Sequence, residues 1–484
     1  MTSKTDPEHN LSSLEAVPSA PGEVLNSSEE SDAVFGAANA GGPQYRSVGW
    51  KRTVVLMMKT QIGLGVLAIP HTFDTLGMVP GVICLCVVAA LNAWSNYRVG
   101  AFKLRHQDVY GIDDVGRIIF GRVGREILAV AFCLYEIFIS GSAILSASIG
   151  LNAVSTHGSC TAIFVATMAI AAWIFASIRT LGKLSWLVWF GLSCVIVAGW
   201  FALFSSYMRR FQAHNTAVLI VTIAAGVQDR PALAPQTGPW VPDYKVISSP
   251  SFRDAIGSIS SLIFAYAGTP TYFPIAAEMR DQKEFLKALV VAQTGTTLLY
   301  IVIGIVVYYY CGSYVASPAL GSAGPLIKKI AYGIALPGLL VTAILIGHMP
   351  AKYVFIRLLR GTKHLNSNSI THWVTWLCCT SGSLIIAYII ASAIPDFGSL
   401  IALVGALLGT LMSYQPMGCM WLYDNWKEPR NLVWRLKAAF SVFMIVVGTF
   451  LMIAGTWASV LSIMDAYDQP TGGSWSCSDN SNST

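Results

Sequence analysis

The chain has 484 residues, of which 54% are hydrophobic and only 12% are charged. Soluble domains average about 25% charged residues, and the mean hydropathy of this chain is +0.58. A water-soluble protein of this size could not hide so much apolar surface, which excludes soluble enzymes and nucleic-acid-binding proteins. The net charge of +6 is too modest to indicate a polyanionic partner.

The ten cysteines are scattered, mostly within apolar runs, and no CxxC spacing occurs. We therefore expect neither a disulfide scaffold nor a zinc site, and no cofactor or other metal is predicted. The sequence also lacks the GxxxxGK[ST] loop of nucleotide-driven pumps. The composition and the missing motifs together predict that the chain is not an enzyme.

Residues 1–45 differ from the rest of the chain. They are rich in Ser, Pro and Gly and carry seven acidic residues but one basic residue, Lys4. No apolar run follows a basic start, so we do not expect the segment to be a signal peptide. Its composition predicts a disordered tail.

Apolar runs of about 20 residues, the length that crosses a hydrocarbon core of about 30 Å, recur from there to the end. Counting the long fifth run once, they predict an all-α polytopic membrane protein with about eleven transmembrane helices. The runs lie near 53–74, 78–101, 126–152, 160–178, 184–227, 255–276, 288–311, 332–350, 371–393, 398–421 and 439–463.

Lys and Arg set the orientation, because cytoplasmic loops carry the excess of these residues. With the N-terminus inside, the segments predicted to be cytoplasmic hold most of the basic residues, and the outer loops hold few. The predicted organisation is a cytoplasmic tail at 1–45, a transporter domain at 46–465 and an extracellular tail at 466–484. Asn482 begins an Asn-Ser-Thr glycosylation sequon in that outer tail.

The fifth run, Leu184–Val227, is too long for one helix and contains Arg209-Arg210. A second crossing here would place every later basic cluster outside the cell. We therefore predict one net crossing, with residues 199–217 as an insertion into the fifth helix. The alternative is a natural re-entrant or interfacial hairpin.

Two spans are interrupted by helix-breaking residues. The first contains Gly63, Gly65 and Pro70, and the sixth contains Gly268 and Pro270. An unwound stretch cannot face lipid, so it must line protein or a water-filled cavity. Interruptions at matching positions of two halves indicate a transporter binding site, although Gly and Pro are also common in ordinary membrane helices.

This arrangement suits a zwitterionic substrate. The first N–H groups of a half-helix favour a carboxylate, and unwound carbonyl groups accept hydrogen bonds from an ammonium group. We therefore predict substrate contacts from the residues at the two breaks. They are Thr60, Gln61, Gly63, Gly65 and Gly268.

Three segments carry a resemblance to a known family: IGLGVLAIP at 62–70, the IFAYAG segment that runs from 263 to Met279, and QDRPALAPQTGP at 228–239. Over roughly residues 45–465 the chain resembles the amino acid/auxin permeases, and among them the fungal neutral amino acid permeases of the methyltryptophan-resistance type. The resemblance implies the LeuT-like 5+5 inverted repeat plus one extra helix. It also implies proton-coupled uptake of neutral aliphatic and aromatic amino acids.

In that fold the third span faces the substrate cavity, so Tyr135 and Ser142 become candidate binding residues. Phe264 and Tyr266 are candidates for a side-chain pocket beside the broken sixth span. The alternative for each aromatic side chain is ordinary helix packing.

Ionisable residues inside a membrane are costly and point to function. Lys59, Glu136 and His348 are therefore the candidates for proton coupling. The alternatives are that Glu136 and Lys59 are only structural partners, and that His348 only forms a hydrogen bond near the inner interface.

The leading hypothesis is a secondary amino acid transporter in the plasma membrane that works by alternating access. Its partners would be a neutral amino acid, a proton and the lipid bilayer, with no nucleic acid. The alternatives are a vacuolar or other organellar amino acid transporter, and a non-transporting amino acid receptor on the same fold.

Overall fold

The computed structural model describes residues 48–178 and 231–481, apart from 232, 236, 323, 360–361, 363, 365–368, 395 and 469–472. All of these residues belong to one compact unit, Tyr45–Thr484. The predicted tail at 1–45, the run at 184–227 with its candidate insertion at 199–217, and Asn482 lie outside the described residues.

Each apolar run predicted outside 184–227 coincides with helix, and the described residues form no β-strand beyond an isolated bridge from Val48 to Met279. The helices are α1 Trp50–Gln61, α2 Ile69–Leu76, α3 Met78–Arg105, α4 Ile112–Ser155, α5 Thr161–Ala176, α6 Phe252–Ala265, α7 Tyr272–Ala277, α8 Phe285–Cys311, α9 Pro325–Leu359, α10 Ile370–Ala393, α11 Phe397–Asn425 and α12 Leu432–Tyr467. Helix α11 includes a π-helical turn at Gly405–Gly409.

Seven segments of the described chain are long and apolar enough to cross a membrane, namely α3, α4, the segment containing α8, α9, α10, α11 and α12. Helices α1 and α2 make an eighth candidate if the bent pair is one span. Helix α5 has 16 residues, and the sixth predicted span is divided between α6 and α7. The structure therefore shows a nearly all-helical, multi-pass membrane protein.

Polar residues in the loops fix where several helices begin. Ser251, Ser369, Asp396 and Asn431 each precede a helix, and each side chain accepts a hydrogen bond from the backbone N–H three residues later. Such N-caps satisfy one of the four N–H groups that a helix leaves without an internal acceptor.

The outward faces of the helices are apolar. On α12, for example, Leu432, Leu436 and Ile453 are 72%, 64% and 65% exposed. Exposure of apolar surface to water costs about 25 cal/mol of free energy per Å², whereas exposure to hydrocarbon chains carries no such cost. The exposed apolar faces thus match a bilayer as the surrounding solvent.

The helices contact one another in two groups. Helices α1, α2, α3, α6 and α8 pack together, and α7 lies against α3. Helices α4, α5, α9 and α10 form a second group, in which α4 and α9 share the most extensive contact. Helix α11 touches both groups, through α6 and α4.

One end of the helix assembly carries the basic clusters. There, Asp424 lies 3.7 Å from the guanidinium groups of both Arg98 and Arg105 and 2.8 Å from His106. At the same end, the backbone of Val48 pairs with the chain that follows α7. The positive-inside rule predicts that this end is cytoplasmic, and we call it the inner face.

The opposite end, the outer face, includes the junction of α2 and α3. There the N–H groups of Met78 and Val79 donate to the carbonyls of Lys245 and Val246, at 3.0 Å each. The N–H of Lys245 also donates to the hydroxyl of Tyr308 near the end of α8. The segment that precedes α6 is thereby fixed to the outer face.

A disulfide joins Cys160, just before α5, to Cys477 in the C-terminal segment. The scattered cysteines gave no indication of this pairing, because the two residues are 317 positions apart. Polar contacts surround the bond: Thr161 donates to the carbonyl of Ser478 at 2.6 Å, and Asn152 donates to Asn480 at 2.7 Å. The predicted outer tail is therefore attached to the loop between α4 and α5.

Replacing Cys160 or Cys477 with Ser should lower the free energy of unfolding by about 2–4 kcal/mol, because the long cross-link no longer restricts the unfolded chain. Thermal unfolding of the detergent-purified protein measures the change, and Cys378→Ser is the control because Cys378 is a free thiol. An unchanged unfolding temperature in both cross-link variants would contradict the pairing.

Candidate functional site

The first break follows the end of α1 at Gln61. The chain passes through Ile62–Leu64, makes one 3-10 turn over Gly65–Leu67, and enters α2 at Ile69. The two half-helices are bent by 49° relative to one another. Pro70 lies in the first turn of α2, where its missing N–H removes no helical hydrogen bond. Pro70 therefore starts the second half-helix, and the glycine-containing segment before it forms the break.

The second break follows the end of α6 at Ala265. Residues 266–268 leave the helix, and a 3-10 turn over Thr269–Thr271 leads into α7 at Tyr272. Pro270 lies at the start of that turn, as Pro70 does in α2. Both predicted interruptions are thus present as short non-helical segments between two half-helices.

The two breaks touch each other. A Cβ atom added to Gly65 would lie 2.4 Å from the Cα of Ala265, and one added to Gly268 would lie 2.8 Å from the Oγ1 of Thr60. A Cβ atom on Gly63 would meet no atom within 4 Å. Two glycines therefore allow the close contact, and Gly63 borders open space beside it.

Two tyrosines bind the carbonyl groups that the breaks release. The hydroxyl of Tyr300 on α8 lies 2.7 Å from the carbonyl oxygen of Gln61 and 2.9 Å from that of Ala265. The hydroxyl of Tyr135 on α4 donates to the carbonyl of Ala267 at 2.6 Å. The carbonyl groups at the ends of α1 and α6 thereby share tyrosine hydroxyl donors in place of water.

Four buried side-chain amides join the first break to its neighbours. The NH₂ groups of Gln61 and Asn96 each lie within 3.5 Å of the side-chain oxygens of both Asn92 and Gln293. We call these four residues the carboxamide ring. Asn92 also donates to Thr269 in the second break, at 3.4 Å. The ring therefore connects α1, α3, α8 and the turn before α7.

Comparison with known proteins places this chain in a family. The family model for the transmembrane amino acid transporter protein matches residues 46–461. The chain belongs to this family. The predicted resemblance is thus confirmed, and the family is one of transporters rather than enzymes.

Individual relatives agree. A transmembrane transporter of Gibberella moniliformis is 33% identical over 456 residues, which cover 93% of this chain and 92% of the relative. The N amino acid transport system protein of Neurospora crassa is 30% identical over 439 residues, which cover 89% and 88%. An amino acid transporter of Arabidopsis thaliana is 21% identical over 419 residues, which cover 83% and 88%.

The predicted aromatic residues of the transporter lie at the second break. The hydroxyl of Tyr266 is 3.1 Å from Thr297, and its ring lies 5.2 Å from that of Tyr300. Phe264 faces α11, since a Cβ atom on Gly405 would lie 3.0 Å from the Cβ of Phe264. Tyr266 thus belongs to the tyrosine cluster around the break, and Phe264 packs between α6 and α11.

Ser142 and Thr60 form hydrogen bonds within their own helices. Ser142 donates to the carbonyl of Phe138 at 2.9 Å, and Thr60 donates to that of Met57 at 2.8 Å. Thr60 nevertheless lies at the contact between the breaks. No hydrogen bond of the described residues joins Ser142 to either break.

Glu136 is buried next to Tyr135, and neither of its carboxylate oxygens has a hydrogen-bond partner among the described residues. Lys59 is half-buried two residues before the end of α1. No ion pair joins these two residues in the described structure. A buried carboxylate without a partner is costly when ionised, so Glu136 is the most exceptional of the three ionisable candidates.

His348 lies among the second group of helices. Its Nδ1 is 3.1 Å from the carbonyl oxygen of Ala176, and its ring packs edge-on against Trp376 at 5.0 Å. Its Nε2 has no partner among the described residues. Its ring is therefore held where α5, α9 and α10 meet.

The carboxamide partners of Gln61 and the role of Tyr300 were not predicted from the sequence. Asn92 and Asn96 did leave a signal, because two amides one helical turn apart in an apolar span are costly in a membrane. Tyr300 left none, since a single tyrosine in an apolar helix is usually a packing residue.

Gly65→Ala should reduce the stability of the fold by about 1–3 kcal/mol or more, because its new methyl group collides with the backbone of α6. Gly63→Ala should fold normally, because its methyl group enters open space. If substrate occupies that space, Gly63→Ala should weaken substrate binding. Thermal unfolding of the purified variants measures the loss of stability, and ligand binding measures the affinity. Equal destabilisation of the two variants would contradict the contact between the breaks. Unchanged affinity in Gly63→Ala would contradict the substrate site beside Gly63.

Proposed function

We propose that this transporter carries neutral aliphatic and aromatic amino acids across the plasma membrane together with protons, by alternating access. The observation that carries the proposal is the direct contact between two broken helices inside a chain of the amino acid transporter family. Non-helical backbone at this depth is tolerated where it lines a binding cavity.

The side chains at the breaks support an amino acid with a neutral side chain. The residues in contact there include Thr60, Gln61, Tyr135 and Tyr266, which are all uncharged. The first N–H groups of the turn after the first break can bind a carboxylate, and backbone oxygens of the non-helical segments can bind an ammonium group. An additional charge on the substrate would have no opposite charge among these side chains.

The helix contacts support the LeuT-like repeat. Helices α1 and α6 begin the two proposed five-helix halves, and both are followed by a break and a second half-helix. One contact group carries the breaks, and the other is built around the contact between α4 and α9. We propose eleven crossings, of which the fifth falls in the run at 184–227.

The described ends on either side of that run support one net crossing. Helix α5 begins at the outer face beside Cys160 and ends at Ala176, next to His348 on the inner half of α9. The chain is next fixed at the outer face through Lys245. A path from the inner to the outer face needs an odd number of crossings, in agreement with the basic clusters.

A membrane-impermeant maleimide can test this topology. Ile178→Cys and Val241→Cys place thiols on either side of the undescribed segment, at residues that are 38% and 75% exposed. We expect intact cells to be labelled at position 241 alone and inside-out vesicles at position 178 alone, with the unmodified chain as background control. Labelling of both positions from one side would exclude one net crossing.

Glu136 is our proposed proton carrier, because it is buried, unpaired and adjacent in sequence to Tyr135, which contacts the second break. A proton on this carboxylate removes the cost of a buried charge, so protonation and substrate binding can be coupled. Lys59 and His348 are the other candidates, and the ring of His348 is already held by Ala176 and Trp376.

Uptake of labelled neutral amino acids should increase with an inward proton gradient and collapse with a protonophore at constant sodium. Glu136→Gln should lose this stimulation but still exchange internal for external substrate, because the amide keeps the shape without the titration. His348→Gln is the control and should keep the proton response.

Strict dependence on sodium without a proton effect would contradict the coupling, as would a Glu136→Gln variant that still responds to the gradient. Binding without uptake in reconstituted vesicles would favour a receptor. Localisation of a tagged chain separates the plasma membrane from the vacuole; the outer-face disulfide favours a surface in contact with an oxidising exterior.

A further inference from the structure

Tyr300 occupies an unusual position between the breaks. Its hydroxyl has one proton, yet it lies within hydrogen-bonding distance of the carbonyls of Gln61 and Ala265, the last residues of α1 and α6. These residues are 239 and 35 positions from Tyr300 in the sequence. One side chain of α8 therefore connects the ends of two broken helices.

Gln61 is held a second time, through its side chain. The carboxamide ring fixes its NH₂ group between the oxygens of Asn92 on α3 and Gln293 on α8. Asn96 closes the ring from the next turn of α3. The residue that immediately precedes the first break is thus fixed at its backbone oxygen and at its side chain.

These contacts lie in the interior, where water cannot replace them. Tyr300, Asn92, Asn96 and Gln61 are each at most 3% exposed, and Gln293 is 7% exposed. A buried carbonyl group without a donor costs about 1–3 kcal/mol. Loss of Tyr300 would favour rearrangement of the freed carbonyls and of the backbone that carries them.

We propose that Tyr300 and the carboxamide ring are positioning residues that hold the two breaks in the geometry that binds substrate. Tyr300, Asn92, Asn96 and Gln293 act through Gln61 and Ala265 rather than by contact with the ligand. This inference rests on the proposed function, because it assigns to these residues the affinity of the same site. It predicts that removing hydrogen bonds of Tyr300 or of the carboxamide ring lowers the affinity for substrate more than the rate of transport.

Tyr300→Phe removes the hydroxyl and keeps the ring. We expect KM for a neutral amino acid to rise about three- to tenfold, the range expected for losing one net hydrogen bond. Uptake at saturating substrate, per folded transporter, should change less than twofold, since a preorganised site affects binding rather than translocation. Tyr308→Phe is the matched control: it makes the same change two turns along α8, where the hydroxyl meets Lys245 at the outer face.

The ring is tested separately at Gln293. Gln293→Leu removes the oxygen that receives the NH₂ groups of Gln61 and Asn96, so KM should rise as in Tyr300→Phe. A protonated Gln293→Glu side chain keeps an acceptor oxygen and a donor, so it should restore most of the affinity. If Gln293 only supported folding, both variants would show lower expression and a lower maximal uptake rate, and Gln293→Glu would not restore the affinity.

Hydrogen exchange provides a readout that does not depend on transport. In Tyr300→Phe, backbone amides at 62–68 and 266–271 should exchange at least threefold faster than in Tyr308→Phe. If the wild-type protein binds no amino acid but this difference in exchange appears, the proposed function is wrong, whereas the role of Tyr300 in holding the two breaks is supported. Unchanged KM and unchanged exchange in Tyr300→Phe would overturn the inference.

Discussion

The architecture depends on the rule that backbone polar groups inside a membrane must find partners within the protein. A continuous helix obeys the rule by itself, but a broken helix does not. This transporter has two breaks in contact, so side chains from other helices must supply the missing partners. Tyr300 and Tyr135 do so, and their helices α8 and α4 must lie beside the breaks for that reason.

The same constraint explains which features the sequence could predict. Gly63, Gly65 and Gly268 mark the breaks because glycine permits non-helical backbone, and Gly65 and Gly268 also permit the close approach of the two breaks, so a local pattern was sufficient. Hydropathy also predicted the positions of the helices, because a continuous apolar helix satisfies its own backbone polar groups in a membrane. The role of Pro70 differed in detail, since it begins the second half-helix instead of interrupting the first.

Partners that lie far apart in the sequence could not be predicted in this way. The link between Gln61 and Gln293 spans 232 positions, and the disulfide spans 317. Neither residue of such a pair carries a local sign of its partner. The polar character of Asn92 was visible, but its place in a ring of four amides depends on how α1, α3 and α8 pack, which no helical period specifies.

The two tyrosines differ in what they connect. Tyr300 joins α8 to α1 and α6 within one contact group, whereas Tyr135 reaches from α4 in the other group to the second break. If the groups move relative to each other, the Tyr300 contacts travel with the breaks and the Tyr135 contact must be broken and remade. Glu136 follows Tyr135 directly in the sequence. A proton on Glu136 therefore lies next to the hydrogen bond between Tyr135 and Ala267, which such a motion would break.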